Sequence, residues 1–176
     1  MQAMYGRNGE AAVPVLAASS PGDCFEVAYE AFRIAVKYMT PVVLLSDGYI
    51  ANGTEPWKLP DTDLLLPFEV FEPTDPENFK PYLRDPETLS RPWATPGMAG
   101  FEHRLGGLEK EHLNGGVSYD PQNHELMVRM RTEKINRVVA EIGPTELHGD
   151  DTGDVLLVGW GSTYGAIRSA TASLRA

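Results

Sequence analysis

Residues 41–57 read Pro41-Val42-Val43-Leu44-Leu45-Ser46-Asp47-Gly48-Tyr49-Ile50-Ala51-Asn52-Gly53-Thr54-Glu55-Pro56-Trp57. A short apolar run that stops abruptly at Ser46-Asp47-Gly48 has the pattern of a parallel-sheet strand covered on both faces, its carboxyl end opening onto a polar, aromatic loop. In open α/β sheets ligands bind beyond such ends. Asp47, Gly48 and Tyr49 are therefore candidates for the wall of a cleft.

Upstream, Val13 to Ala18 forms a second short apolar run, and Ser20-Pro21-Gly22-Asp23 supplies an N-cap, a proline at N1 and a carboxylate at N3. Phe25, Ala28, Phe32, Ala35, Val36 and Met39 then recur at the spacing of one helical face until Thr40-Pro41 ends the helix. A strand, a helix of about five turns and the strand Val42 to Leu45 make a right-handed βαβ unit, with both strand ends facing the same side. Arg7, Asn8 and Glu10 lead into the first strand and are further cleft candidates, with a surface ion pair and turn as the alternative.

Most of the 14 prolines fall between Glu55 and Gly100, a density that excludes long helices and central strands. This predicts an extended connector against a surface, with one short strand at Phe68 to Phe71. Phe101 to Tyr119 carries two Gly-Gly pairs and little periodicity, the pattern of a compact loop or hairpin. Asp120-Pro121 opens a second helix with Leu126, Met127, Met130, Ile135, Val138 and Ile142 on its apolar side, ending at Gly143-Pro144. After an acidic linker from Glu146 to Asp154, a strand over 154–158 runs into the glycine-rich turn Gly159-Trp160-Gly161-Ser162, and a helix follows from Tyr164 to Leu174. A lone parallel strand cannot cover its own edges, and a two-stranded βαβ unit is too small for its own core. The expectation is that both ends of the chain lie inside domains.

The chain has 176 residues, 42% of them hydrophobic and 23% charged, with a formal net charge of -10. That composition describes a soluble globular protein and disfavours nucleic acid and anionic membrane as partners, since the basic residues form no cluster along the sequence. The one cysteine, Cys24, excludes an internal disulfide and an iron–sulfur cluster held by this chain alone. Its place in a helix's first turn could lower the thiol's pKa, yet the apolar Phe25 beside it favours a packed thiol over a reactive one. No apolar segment resembling a signal peptide opens the chain, which points to the cytoplasm. His103 and His112 sit among Glu102, Glu109 and Glu111, but their nine-residue spacing does not share a helical face, so a charged solvated loop is preferred to a zinc site. Gly159, Gly161 and Gly165 are spaced one residue too widely for the dinucleotide fingerprint and read as a tight strand-to-helix turn.

Taken in order, Gly6-Arg7-Asn8-Gly9-Glu10, Val15-Leu16-Ala17-Ala18-Ser19-Ser20-Pro21, Leu44-Leu45-Ser46-Asp47-Gly48-Tyr49, Gly107-Leu108-Glu109 and Val158-Gly159-Trp160-Gly161-Ser162 resemble the alpha subunit of 2-oxoacid:ferredoxin oxidoreductases, closest to the 2-oxoglutarate type. The resemblance implies an α/β chain built as a partial thiamine-diphosphate-binding (pyrimidine domain) fold with parallel strands. Residues 1–60 would be its C-terminal part, 61–150 a proline-rich connector with one helix, and 151–176 the first βα unit of a transketolase C-terminal-like α/β domain. It implies oxidative decarboxylation of 2-oxoglutarate or a similar 2-oxoacid to an acyl-CoA with reduction of ferredoxin. Thiamine diphosphate with Mg would be shared with a beta subunit, and the iron–sulfur cluster would sit on that partner.

The pyrimidine-activating glutamate and the substrate segments of the family have no counterpart here, so no catalytic residue or metal ligand is assigned and the isolated chain is expected to be inactive. Asp47-Gly48 with Asn52 is similar to half of the metal motif of thiamine enzymes, but a turn whose carboxylate caps local N–H groups is preferred. The alternatives are a subunit of another thiamine enzyme, transketolase-like or a 2-oxoacid dehydrogenase, and a non-catalytic interaction module.

Overall fold

A computed structural model describes residues 1–175. The elements run α1 (Gln2–Tyr5), β1 (Val15–Ala17), α2 (Asp23–Tyr38), β2 (Val43–Leu45), α3 (Gly48–Asn52), a 3-10 turn (Thr62–Leu64), α4 (Pro121–Ile142) and α5 (Thr163–Arg175). β1 and β2 pair in parallel, with Val15 opposite Val43, Leu16 opposite Leu44 and Ala17 opposite Leu45. The expected βαβ unit is present.

Asp23 accepts from the N–H and hydroxyl of Ser19 at 2.8 Å, and its own N–H donates to the Ser20 hydroxyl at 3.3 Å. These local bonds fix the chain where β1 hands over to α2, which begins at Asp23 with Gly22 at its N-cap, two residues later than the N-cap expected at Ser20. At the other end the helix closes on Met39 in the left-handed region (φ 44°), two residues before Pro41, because the residue preceding a proline is disfavoured in the helical region. The inward face of α2 differs from the expected one. Ile34 and Tyr38 are buried, one helical turn apart, whereas Phe32 is exposed. Ile34 and Tyr38 pack with Val138 of α4 against Leu16 and Val42 of the sheet, and each such side chain fully buried is worth about 1.5–3 kcal/mol. Phe25 and Tyr29 join a lateral aromatic row with Trp57 and Phe68, which is why the helical periodicity alone misassigned the core side.

α4 has the expected bounds for the expected reasons. The Asp120 carboxylate accepts from Gln122 N–H at 2.9 Å, Pro121 occupies the first turn, and Gly143 ends the helix at φ 79°. Its inward residues are Met127 and Val138, while Leu126 and Ile142 stay partly open to solvent. α4 crosses α2 through a charged hub. Buried Arg33 pairs with Glu30 at 2.7 Å and with Glu141, while Tyr38 and Lys37 also reach Glu141.

The connector is irregular, as its prolines require, but the strand expected at Phe68 to Phe71 is absent: only the Phe71 carbonyl finds a backbone partner, Trp93 N–H at 2.7 Å. Flanking Pro67 and Pro73 leave no continuous edge to pair. The connector is pinned to α2 by the Trp93 indole N–H, which donates to Val36 carbonyl at 2.9 Å. The glycine-rich segment folds as a hairpin-like loop with a bridge between Lys110 and Val117. The strand expected over 154–158 is also absent: Val155 to Val158 are exposed and have no ladder partner among the described residues. Without a neighbour an extended segment has nothing to satisfy its backbone groups but solvent.

Candidate functional site

The carboxyl ends of β1 and β2 are where three loops meet. From β1 come Ser19 and Ser20. The Ser20 hydroxyl donates to Glu55 Oε1 at 2.6 Å, and the Gly22 N–H reaches the same oxygen. The Ser20 hydroxyl and then the Gly22 N–H hold the Glu55 carboxyl below the usual carboxylate range. From β2 comes Asp47, whose Oδ1 accepts from Tyr49 and Ile50 N–H at 3.0 Å and so caps α3. Its Oδ2 accepts from Ser162 N–H at 3.3 Å, tying the third loop to the first two across 115 residues of sequence.

Ser162, with the N–H groups of Ile50 and Tyr49, holds the Asp47 carboxyl below its ordinary value. Gly161 turns there at φ 63°, in the left-handed region that favours glycine, and a Cβ at this position would be in ordinary contact with Asp47 Oδ2 and Ala18 carbonyl at 3.6 and 3.8 Å. The expected tight turn after Gly159 thus lands on the ends of both strands. Tyr49 projects beside them, 80% exposed.

The other cleft candidates lie elsewhere. Arg7, Asn8 and Glu10 do not enter a strand, since β1 begins only at Val15. The Arg7 guanidinium closes the end of α1, donating to the carbonyls of Ala3, Met4 and Ala11. Asn8 and Glu10 are exposed, and Glu10 carbonyl accepts from Arg131 on α4 at 3.4 Å. They precede the amino end of β1, while Asp47, Gly48 and Tyr49 follow the carboxyl end of β2. In a parallel pair these are opposite edges.

His103 and His112 are not brought together. The first bonds Phe101 carbonyl at 2.8 Å and the second meets Arg84 at 3.2 Å. Burial, and then the charge of Arg84, push His112 down. Among the described residues no three His, Cys, Asp or Glu side chains converge as a metal site. Cys24 is half-buried, its thiol facing Ser20 carbonyl at 3.5 Å.

One cluster has no signature in the sequence and overturns the expectation that the basic residues do not gather. Arg84, Arg91, Lys110, Arg131 and Lys134 line one cavity of about 400 Å³ between the connector, the hairpin-like loop and α4.

Comparison with known proteins places this geometry. The profile of the family described as pyruvate flavodoxin/ferredoxin oxidoreductase, thiamine diphosphate-binding, matches residues 1–117. The chain is 55% identical over 173 residues to the 2-oxoglutarate oxidoreductase subunit KorA of Mycobacterium tuberculosis, covering 97% of this chain and 26% of that protein. It is 25% identical over 177 residues to the 2-oxoglutarate synthase subunit KorA of Methanothermobacter marburgensis, covering 99% of this chain and 46% of that one. A solved structure, the 2-oxoglutarate:ferredoxin oxidoreductase from Magnetococcus marinus with 2-oxoglutarate, coenzyme A and succinyl-CoA bound, superposes with a TM-score of 0.86 at 31% identity, over 99% of this chain and 30% of that one. The chain thus spans between a quarter and a half of the length of these two relatives.

Proposed function

This chain belongs to the pyruvate flavodoxin/ferredoxin oxidoreductase family, and from that premise we propose that it forms part of the alpha subunit of a thiamine-diphosphate-dependent 2-oxoacid:ferredoxin oxidoreductase. The reaction converts 2-oxoglutarate, or a close analogue, and coenzyme A to acyl-CoA and carbon dioxide, with two electrons passed to ferredoxin. The reading draws most support from the extent of the likeness, which continues past the family profile through α4 to the loop that docks on Asp47. We assign residues 1–60 to the pyrimidine-binding domain, 61–150 to the connector and 151–176 to the start of the following α/β domain.

Thiamine diphosphate, when bound, supplies the nucleophilic carbon that the chemistry requires. The residues at the strand ends suit the aminopyrimidine end of such a cofactor, with exposed Tyr49 as an aromatic ledge and the Ser19–Ser20 turn fixed in place by Asp23 and Glu55. They do not suit its metal-bound diphosphate. Both oxygens of Asp47 are already committed to N–H donors, and the described residues bring no further ligands together. These residues therefore leave magnesium, diphosphate and the iron–sulfur cluster, which one half-buried thiol cannot ligate, to be held elsewhere in the enzyme, and in keeping with the family resemblance we assign them to a beta subunit. The work of this chain is positional: Asp47 and Gly161 hold three loops in register at the edge where the cofactor ring would lie.

Among the described residues no helix is long and apolar enough to cross a membrane, and we place the enzyme in the cytoplasm with ferredoxin and the beta subunit as partners. The test is to assemble the full-length subunit with its beta partner and follow viologen or ferredoxin reduction. We expect reduction that requires 2-oxoglutarate, coenzyme A and thiamine diphosphate together. Absence of reduction with any 2-oxoacid, alongside acyl transfer to lipoamide, would instead select the dehydrogenase alternative.

A further inference from the structure

We propose that the cavity between the connector and α4 binds a diphosphate group, gripped by Arg84, Arg91, Lys110, Arg131 and Lys134. This site is distinct from the strand ends and does not depend on the proposed reaction. In a chain of net charge -10, five of the fifteen basic residues face one space of about 400 Å³. Against them stands a single wall carboxylate, Glu109, which is already committed to Arg131 at 3.1 Å and to His124.

The remaining cations are oriented by neutral groups that leave their charge uncompensated. Arg84 donates to the carbonyls of Tyr82 and His112, and Arg91 lies over the Tyr82 ring, 4.7 Å from its centre. Lys110 is only 3% exposed. Among the described residues neither its ammonium nor that of Lys134 has a hydrogen-bond or ion-pair partner. No side-chain polar atom among the described residues is fully enclosed without a partner, so the residual access of Lys110 must be at its ammonium, toward the cavity it lines.

Gathering unpaired like charges in a partly desolvated space is unfavourable. The consequence is visible at Lys134, where burial, and then the charges of Arg84 and Arg91, push the ammonium down to about 8. A compact anion carrying several charges removes that cost. Guanidinium forks and three-donor ammonium groups match the tetrahedral oxygens of phosphate, and the excess of five cations over one carboxylate suits a diphosphate better than a monoanion. The volume leaves room for a diphosphate either free or carried on a nucleotide.

The experiment uses the full-length protein in phosphate-free buffer at constant ionic strength. Binding of sodium diphosphate and of ADP is measured by calorimetry, and protection of individual lysines from acetylation is read by peptide mass spectrometry. Diphosphate should protect Lys134 while leaving exposed Lys58 and Lys80 unchanged. Lys134→Gln should weaken binding by about tenfold or more without lowering the Tm of the anion-free protein, because it relieves repulsion. Lys110→Gln provides an independent second variant. Tighter binding of ADP than of diphosphate would identify the nucleotide as the source, and equal binding the free anion; either supports the site. The proposal is overturned if wild type and both variants bind alike or not at all. It is also overturned if Lys134, which is only partly buried, is already unreactive without added anion, which would mean that other groups of the protein fill the cavity.

Discussion

Replacing Glu141 by Gln tests whether the charged hub, rather than apolar packing alone, locks α4 onto the βαβ unit. Burial pushes the Glu141 carboxyl up, but hydrogen bonds from Tyr38, Arg33 and Lys37, with the Arg33 charge, outweigh it and hold the pKa at about 2 instead of 4.5. At about 1.4 kcal/mol per unit, that difference corresponds to roughly 3 kcal/mol of stability. Because Arg33 keeps both contacts to Glu30, we expect Glu141→Gln to cost about 2–3 kcal/mol, less than the full loss of a buried pair. The assay is hydrogen exchange on the full-length protein, where amides of α2 and α4 should exchange roughly 30- to 150-fold faster if they open together. Glu69→Gln serves as the comparison, because it meets Lys37 from a largely exposed position and should shift exchange by less than about threefold.

The pH dependence has a definite sign. A depressed carboxyl stabilises fully above its ordinary value, and that contribution is lost as pH falls from about 4.5 through about 2. Wild type and Glu141→Gln should therefore converge toward pH 2. Equal exchange in the two variants, or a gap between wild type and Glu141→Gln that persists unchanged through that window, would refute the reasoning.

Three further outcomes are expected. Asp47→Ala should free the amides of Tyr49 and Ile50 and release the loop at Ser162, seen as faster exchange at both places while α4 is unaffected; in wild type the same loosening should appear only as pH falls below the ordinary carboxylate range, since Asp47 is held low. Trp93→Phe keeps an aromatic ring but removes the indole N–H that bonds Val36 carbonyl, costing about 1 kcal/mol or more and bringing forward proteolytic nicking within the connector. The 176-residue polypeptide alone, given 2-oxoglutarate, coenzyme A, thiamine diphosphate and a viologen dye, should reduce nothing, because a single cysteine leaves it without a cluster to carry electrons; steady dye reduction would contradict the division of labour between subunits.

What the sequence made legible is local. Asp120, Pro121 and Gly143 bound α4 through hydrogen bonds and backbone angles that reach only a few residues, and Ser20 to Asp23 marked the head of α2, although the helix takes Gly22 rather than Ser20 as its N-cap. Parallel pairing of β1 with β2 followed because one helix between two short apolar runs admits little else. The apolar faces were less legible. Phe25 and Phe32 carry the helical period as well as Ile34 and Tyr38 do, and only the position of Val138, a hundred residues away, decides which face is inside. The strands expected at 68–71 and 154–158 had suitable composition, but a strand is defined by its neighbour, and neither segment has one among the described residues.

The candidate site shows the same limit in sharper form. Asp47 was readable as a turn-forming cap, and Gly161 as a turn glycine, each from its immediate neighbours. That they meet is a property of the chain path between them, which brings Ser162 N–H to within 3.3 Å of a carboxylate 115 residues earlier. Arg84, Arg91, Lys110, Arg131 and Lys134 are an extreme case: spread over 51 positions, they form no run or period, yet α4 and the hairpin-like loop turn them toward one space. An acidic net charge describes the average surface a distant partner meets, whereas a binding cavity responds to the few charges within a Debye length. A chain can therefore repel polyanions as a whole and still hold a small anion at one place, where residues that form no run in the sequence meet in space.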